Sequence, residues 1–433
     1  MLQGKALDLK ELIRPYYLKW IYFPVSDNHC PPEFKRWRQY PSVPLELAKQ
    51  IVSSASDGLP DALFLPMTDW HGIRQRSQQM ARGFSGLGHR CFYLNPHLGR
   101  EFPQVYPLSQ KRLLTSLEPR IAELHVHLLR EPVFHHRRLN REEVETVTAG
   151  ILAMLQATES SRQLSIVGLP VWTDVALRLR EALHTPIVYD CHDLLEGFDG
   201  IGQDVLDQEG ELFASADLVV FSAEWLAHEH ISRRPELAGK AVVIRNGADS
   251  QHFAGVVRNS SGGPVTVGYI GALNSWFDIQ AIRAAASEHP DWRFLLVGPT
   301  GSGFPKNAFA GLKNIQLIGE VGYQDLPAWM ARFDVATIPF LIQPLTMATN
   351  PVKLYEYFAC GLPVVSSPLA EVARYSDLVY LAGDPAEFVR QLERAVQEND
   401  PSKRDARRTV AIRENWRSRS ETLIAELAKI TGA

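Results

Sequence analysis

At 433 residues, the chain is long enough for two or three domains with sizeable hydrophobic cores. Apolar residues make up 45% and charged residues 22%, and the formal charge is -4, so a global basic field for nucleic-acid binding is excluded. The cysteines are dispersed, with no C-x-x-C pair, which argues against a disulfide framework and against a structural zinc site.

Residues 1–60 form an N-terminal arm in which aromatic residues are interleaved with lysine and arginine, as in "RPYYLKWIYFP" and "PPEFKRWRQYP". The arm either packs across the first domain or forms a surface for an acceptor or for lipid headgroups. No apolar run approaches the roughly 20 residues that span a bilayer, and the N-terminus has no hydrophobic signal core. We therefore expect a cytoplasmic protein, with peripheral contact at the inner face of the cytoplasmic membrane as an option.

From Asp61 onward, β-rich runs alternate with segments of helical length. The predicted strands of this half are "DALFLP", "HRCFYLN", "LHVHLL", "QLSIVG", "PIVYD", "DLVVFS" and "AVVIRN". Helices are predicted at "WHGIRQRSQQMARGFSGLG" and near residues 141–156, 171–183 and 205–214. Strands that alternate with helices in this way indicate βα units and a parallel sheet.

The segment "VVRNSSGGP" at residues 256–264 has the composition of a linker, and the alternation restarts after it. The fold class is therefore α/β, with two facing Rossmann-like, doubly wound, parallel-sheet domains and a ligand cleft between them. We predict the arm at 1–60, a first domain at 61–257 and a second domain at 264–410. A C-terminal helix is predicted at 411–433, and packing back onto the first domain is one option for it.

The stretch "ATNPVKLYEYFACGLPVVSS" after the predicted strand "VATIPF" starts with a helix. Thr349 or Asn350 can cap this helix, and Pro351 suits its first position because the missing N–H costs nothing there. The free N–H groups and the charge of Lys353 favour an anion, above all a phosphate. Glu356 lies one turn further along the same face and can accept paired sugar hydroxyls. The alternative is an exposed ion pair of little energetic weight.

A second cluster, "VYDCHDLLEGF", places Asp190, His192 and Asp193 at a predicted strand end, where the ligands of such sheets bind. Asp193 can act as a general base toward an acceptor hydroxyl. The alternative is that these residues only cap the next helix. No metal site is expected from this spacing.

The loop "TDWHGIRQRSQQ" follows the first strand, so its start should face the cleft. Its candidates for donor or acceptor contacts are Trp70, His71, Gly72 and Arg74, whereas Arg76 and Gln79 are expected to face solvent. In the turn "RNGAD", Arg245 is a candidate cleft cation. The histidine- and arginine-rich segment at 125–141 is either an exposed basic rim or a plain surface loop.

"NPVKLYEYFACGLPVVSS" resembles the donor-site motif of GT-B glycosyltransferases of glycosyltransferase family four, in the branch of teichuronic acid and exopolysaccharide biosynthesis. Segments such as "VYDCHDLLEGF", "VIRNGAD", "VGYIGALNSWFD" and "LLVGP" agree with the family in order and spacing. The resemblance covers residue 61 to the C-terminus.

The resemblance implies that Glu356 binds the ribose of a nucleotide-sugar and that Lys353 and the helix start hold its diphosphate. The nucleotide-sugar site would further include Asn350, Pro351, Tyr355, the glycine turn at Gly271, and Val321 near the base. His192 would face the donor sugar and, with Asp193, carry the catalytic role.

Two features depart from the family. Ala348 stands where relatives commonly carry a glutamate that contacts the donor sugar, and "GALNSWFD" has no cation after the glycine turn. Lys353 is a candidate to compensate for the missing cations.

The resemblance implies a hexosyltransferase-type enzyme that transfers sugar from a UDP- or GDP-linked donor to a saccharide or lipid-linked acceptor during surface polysaccharide synthesis. It implies no metal or other cofactor. The retaining or inverting outcome stays open. The alternatives are a sugar-nucleotide epimerase on the same fold and a non-catalytic, nucleotide-sugar-binding scaffold subunit.

Overall fold

The computed structural model describes residues 58–96, 112–126, 128, 137–256, 262–301 and 303–431. The predictions for the arm up to residue 57, and for parts of the linker and of the segment 125–141, lie outside these residues. Two compact units are present: residues up to Val188 together with Gly202–Ala216, and Tyr189–Ile201 together with the chain from Asp217 onward. The domain boundaries derived from the sequence stay a prediction.

The first unit is built on five strands in the order β3-β4-β2-β1-β5. They are β1 (Asp61–Leu65), β2 (Cys91–Leu94), β3 (Arg112–Glu118), β4 (Ile121–Val126) and β5 (Gln163–Val167). β1 pairs in parallel with β2 and β5, and β2 in parallel with β4. β3, which the sequence did not indicate, runs antiparallel to β4, so this sheet is mixed rather than wholly parallel.

Helices accompany these strands: α1 (Arg76–Gly86), α2 (Arg141–Ala157), α3 (Thr173–Leu183) and α4 (Gln203–Ser215). The start of α2 shows why the sequence forms a helix there. The Asn140 side chain accepts from the Glu143 amide at 3.0 Å, and the Glu143 carboxylate accepts from the Asn140 amide at 2.7 Å. This reciprocal capping box satisfies two amides that would otherwise lack partners.

The chain enters the second unit through β6 (Ile187–Cys191). The next elements are β7 (Leu218–Phe221), α5 (Glu224–Arg233), β8 (Ala241–Val243) and α6 (Ser250–Phe253). β7 pairs in parallel with β8. Helix α5 was not predicted, because three histidine or arginine residues interrupt its apolar pattern.

A six-stranded sheet, in the order β11-β10-β9-β12-β13-β14, follows in the second unit. Its strands are β9 (Thr266–Ile270), β10 (Arg293–Val297), β11 (Ile315–Gly319), β12 (Val335–Ile338), β13 (Val364–Ser366) and β14 (Tyr380–Leu381). All of its pairings are parallel, so the carboxyl ends of the strands share one edge. An apolar core packs both faces of this sheet.

The helices around this sheet are α7 (Ile279–Glu288), α8 (Leu326–Met330), α9 (Pro344–Met347), α10 (Val352–Ala359), α11 (Ala370–Ala373), α12 (Pro385–Val396), α13 (Pro401–Arg413) and α14 (Trp416–Thr431). At the start of α14, Ala248 forms a bridge with Asn415. The α/β class in two domains is confirmed, with a mixed sheet in the first unit and parallel pairings throughout the six-stranded sheet of the second. None of the helices in the described ranges is long and apolar enough to cross a membrane.

Candidate functional site

Three glycines define the carboxyl edge of the six-stranded sheet. Gly271, Gly298 and Gly319 follow or end neighbouring strands and have φ angles of 140°, 144° and 82°. A Cβ on Gly298 would lie 2.1 Å from the Gly271 carbonyl oxygen, so the two turns pack backbone against backbone. Residues with side chains rarely adopt these conformations, which explains why glycine occupies all three positions.

Helix α10 begins at this edge and brings Lys353 to the glycine turn. A Cβ on Gly271 would lie 2.8 Å from the Lys353 Cε and 3.1 Å from its Nζ. Two residues predicted separately for the same site, Gly271 and Lys353, therefore lie in contact.

Lys353 is a partly buried ammonium between two aromatic rings. Its Nζ lies 5.4 Å from the ring centre of Tyr269 and 4.8 Å from that of Phe340. Burial lowers the pKa of Lys353 to about 8, and the negative charge of Glu356 opposes that shift. Within the described ranges, Lys353 makes neither a hydrogen bond nor a direct ion pair. A cation held in this way is prepared to bind an anion.

Glu356 follows Lys353 by one helical turn and is 8% exposed. Tyr355, predicted as a third donor contact, is 0% exposed and belongs to the core. Its hydroxyl accepts a hydrogen bond from the Asn350 amide group at 3.0 Å, and its ring packs edge-on against Tyr375. Val321, predicted near the base, is partly buried after the end of β11 and packs against the core.

The predicted cap of helix α10 is wrong. Pro351, not Asn350 or Thr349, occupies the capping position, the helix begins at Val352, and no side chain caps it. Asn350 does not cap because other groups engage its polar atoms. Its Nδ2 donates to Tyr355 and to Glu371, and its Oδ1 accepts from the Asn246 amide at 3.1 Å.

His192 lies just beyond β6, and its tautomer follows from its contacts. Its Nδ1 is 2.9 Å from the carbonyl oxygen of the buried Asp190. Because a carbonyl only accepts, Nδ1 carries the proton and Nε2 of the neutral ring has the lone pair. The Ser222 hydroxyl donates to the His192 carbonyl at 3.0 Å and holds the loop.

Asp193 stands beside this ring, with its Oδ2 3.8 Å from the His192 Nε2. Burial raises the pKa of Asp193, and His192 opposes the shift. A carboxylate with a raised pKa is a stronger base than an exposed one, which suits proton abstraction.

The loop after Asp193 contacts the segments that flank the glycine turn and helix α10. The Phe198 ring lies edge-on to Trp276, with ring centres 6.0 Å apart. A Cβ on Gly197 would meet the Leu345 Cβ at 2.9 Å. Ala348, where the family commonly has a glutamate, is 0% exposed. Within the second unit, the loop that carries His192 and Asp193 therefore lies beside the segments that were predicted to bind the nucleotide-sugar.

In the first unit, the candidates Trp70 and His71 are largely engaged by their neighbours. Trp70 packs edge-on against Tyr93, and the Arg82 guanidinium lies 4.4 Å from its ring centre. The His71 Nε2 lies 2.9 Å from a carboxylate oxygen of the fully buried Glu123.

The other two candidates of this loop keep more exposure. Gly72 is exposed, and its amide donates to the Asp69 carboxylate at 2.7 Å. Arg74 is partly buried. The expectation that Arg76 and Gln79 face solvent is wrong, because both side chains are buried.

Two predictions about basic residues also need correction. His125 is buried, with its Nε2 3.3 Å from the Glu123 carboxylate, so it is not part of an exposed basic rim. Arg245 was predicted as a cleft cation, but its guanidinium is paired with two carboxylates. It donates to Glu371 at 2.7 Å and to Glu224 at 2.8 Å, and both carboxylates offset its charge.

Sequence reasoning missed Glu371 and Asn246. The side chain of Asn246 donates to the Asn350 carbonyl at 2.7 Å, and Glu371 accepts from Asn350 and Arg245. The Asn-Gly pair indicated only a turn, and the one carboxylate in "PLAEV" had no spacing that marked it.

Part of this chain is similar to a known protein family. Residues 264–398 match the family model described as glycosyl transferases group 1. These residues form a glycosyltransferase group 1 domain. The domain contains the glycine edge, Lys353, Glu356 and Glu371, and the family resemblance predicted from the sequence is confirmed.

One curated protein is similar to this chain in sequence. The chain is 25% identical over 271 residues to TuaH of Bacillus subtilis (strain 168), assigned as a teichuronic acid biosynthesis glycosyltransferase. That match covers 57% of this chain and 66% of TuaH, so the chain spans just under two thirds of this relative.

Solved structures show that the fold is that of GT-B glycosyltransferases. A sucrose-phosphate synthase from Thermosynechococcus elongatus has a TM-score of 0.65 at 15% identity, over 86% of this chain and 99% of its own. HepE of Anabaena, in complex with UDP and glucose, has a TM-score of 0.58 at 16% identity, over 86% and 100%.

Proposed function

We propose that the protein is a glycosyltransferase that moves a sugar from a nucleotide-sugar to a saccharide or lipid-linked saccharide acceptor in surface polysaccharide synthesis. One observation carries the proposal above all. The Lys353 ammonium is held against the Gly271 turn, makes no hydrogen bond or direct ion pair among the described residues, and lies one helical turn before the buried Glu356. A nucleoside diphosphate matches this arrangement, because its negative diphosphate suits Lys353 and its adjacent ribose hydroxyls suit Glu356.

On the donor side, Lys353 and the amides of the first turn of α10 bind the diphosphate. Glu356 accepts hydrogen bonds from the ribose hydroxyls, and Val321 lies near the base. As the bond from the sugar C1 to the phosphate oxygen breaks, negative charge grows on the diphosphate, and Lys353 stabilises it. The charge comes from a side chain, and we propose no metal or other cofactor.

On the reacting side, His192 faces the donor sugar and Asp193 is the candidate general base. The acceptor hydroxyl oxygen forms the new bond to C1, its proton passes to the Asp193 carboxylate, and the nucleoside diphosphate departs with the bonding electrons. Gly72, which is exposed, and Arg74, which is partly buried, are the acceptor candidates of the first unit. Positioning of the two substrates supplies much of the remaining rate.

The comparisons support a first choice of substrates. The similar HepE structure is a complex with UDP and glucose, and another similar structure is a UDP-forming trehalose-phosphate synthase from Burkholderia xenovorans, which favours UDP over GDP as the first donor to test. TuaH is assigned to teichuronic acid biosynthesis, which favours a growing surface polysaccharide as the acceptor. Peripheral membrane contact through residues 1–60 belongs to the proposal.

Transfer of radiolabelled sugar from UDP- and GDP-sugars to bacterial membrane extracts tests the function. Wild type should label the extract, and Glu356→Ala and His192→Ala should abolish labelling. Glu421→Ala, at an exposed carboxylate on α14, is the control and should retain activity. Donor conversion without acceptor would indicate an epimerase, and normal complementation of cells by both inactive variants would indicate a scaffold. Either result overturns the proposal.

A further inference from the structure

Glu371 is a buried carboxylate in the first turn of α11 to which several donors converge. Its side chain is 1% exposed. One oxygen accepts from the Glu224 amide at 2.8 Å, and the other accepts from Arg245 at 2.7 Å and Asn350 at 3.2 Å. Arg374 lies 3.7 Å away. A carboxylate enclosed in this way is fixed in position because its partners satisfy both oxygens.

One of these hydrogen-bond donors, the Glu224 amide, lies at the start of helix α5. The capping residue of α5 is Ala223, which has no side chain able to accept a hydrogen bond, so the Glu224 amide donates to Glu371 instead. Residues 147 positions apart in the chain are joined by this bond. A negative charge at the start of a helix is also favoured by the helix dipole.

Asn350 connects Glu371 to the start of helix α10, which carries Lys353. Its side chain contacts Glu371, Tyr355 and the Asn246 amide, and its carbonyl accepts from the Asn246 side chain at 2.7 Å. The residue immediately before Pro351 is therefore held on every polar side-chain atom.

The first turn of α10 depends on this arrangement because it has no cap of its own. Pro351 has no N–H and supplies no capping side chain. The helix has eight residues, which is about 12 Å of length, so a tilt at its start moves Lys353 relative to the Gly271 turn. A site of this kind tolerates displacements of only about 0.5 Å.

We propose that Glu371 is a positioning residue for the donor site. Its carboxylate holds Arg245 and the Glu224 amide together with Asn350, and Asn350 sets the start of helix α10 and hence the place of Lys353. This inference rests on the proposed function, because it concerns the binding of the donor diphosphate.

Glu371→Gln tests the inference, since glutamine keeps the shape and removes the charge. Calorimetry should show UDP binding about tenfold weaker or more, with uridine affinity, measured by competition, unchanged. Glu398→Gln is the matched control, because Glu398 is a buried carboxylate in a two-bond pair with Arg407, at 2.5 and 2.6 Å, in the same unit. Both variants should unfold at lower temperature, but only Glu371→Gln should lose UDP affinity.

A second variant keeps the test decisive if Glu371→Gln does not fold. Asn246→Ala removes the bond to the Asn350 carbonyl and should weaken UDP binding in the same selective way. Where both fold, the double variant should lose little more than either single variant, because the two residues act through Asn350. Additive losses would contradict a shared route.

The outcomes separate the two proposals. If wild type binds UDP, and Glu371→Gln and Asn246→Ala bind it equally well, the positioning role is overturned and the proposed function stands. If wild type binds neither UDP nor GDP, the proposed function and the positioning role fall together. An equal loss of UDP and uridine binding would show a general structural role and would also overturn the inference.

Discussion

Replacing Lys353 with methionine should weaken diphosphate binding. It should also abolish the loss of affinity that we expect for the wild type at alkaline pH. Methionine keeps the apolar stem that packs between Tyr269 and Phe340 and removes the charge. A hydrogen bond to a charged group contributes about 1.5–3 kcal/mol, so the dissociation constant for UDP should rise roughly 10- to 100-fold at pH 7.

The pH dependence follows from the pKa of about 8 at Lys353. About nine-tenths of this side chain is protonated at pH 7 and about one-tenth at pH 9. Bound diphosphate favours the protonated form, so binding requires proton uptake once the pH exceeds 8, and affinity should fall up to about tenfold between pH 7 and 9. Below pH 7 the ammonium is fully formed, and Lys353 should contribute no further pH dependence.

Calorimetry with UDP at constant ionic strength from pH 7 to 9 measures both effects. The Lys353→Met profile is the baseline, because it retains any titration of the ligand itself. Lys353→Arg should bind without the alkaline loss, since arginine stays charged throughout this range. Identical profiles for wild type and Lys353→Met would refute the assignment of Lys353 to the diphosphate.

Three further predictions follow from the packing. Gly271→Ala should fold and bind UDP at least tenfold more weakly, because its φ is 140° and its Cβ would meet Lys353 at 2.8 Å; calorimetry and circular dichroism measure the two properties. Ala348→Glu should lower the melting temperature by several degrees without raising transfer activity, because it places a carboxylate at a fully buried position. Glu123→Gln should lower the free energy of unfolding in urea by about 1–3 kcal/mol, because the buried carboxylate accepts from the Asn95 amide group and lies 2.9 and 3.3 Å from His71 and His125. Unchanged stability of Ala348→Glu or of Glu123→Gln would contradict the burial of the replaced residue.

Local patterns in the sequence predict much of this fold. The buried runs of β1, β9 and β12 are short, apolar and bounded by turn residues, and they form strands as expected. β3 was missed because its residues, "RLLTSLE", combine two charged and two hydroxyl residues with leucine and include no valine, isoleucine or aromatic residue, and its pairing with β4 decides its conformation. Helix α5 was missed for a similar reason.

The candidate site likewise has a part that could be predicted from the sequence and a part that could not. Lys353 and Glu356 were predicted from a local signal, the start of a helix, and Gly271 was predicted from the family resemblance, which places it in the glycine turn after a strand. The pairing of Asn350 with Asn246 and that of Arg245 with Glu371 were not predicted because the partners lie 104 and 126 residues apart in the chain. Hydrogen bonds at such separations leave no period in the sequence, and a capping role for Asn350 was the best local interpretation.

The bonds around Glu371 and Asn350 have a consequence for backbone dynamics. The amide of Glu224 donates to the Glu371 carboxylate, and the amide of Asn246 donates to the Asn350 side chain. Each amide can exchange its hydrogen with solvent only when that bond opens. If donor binding stabilises the start of α10, hydrogen exchange should slow at these two amides, which lie more than 100 residues before Lys353 in the chain. Two main-chain positions that touch no substrate would then report the occupancy of the site.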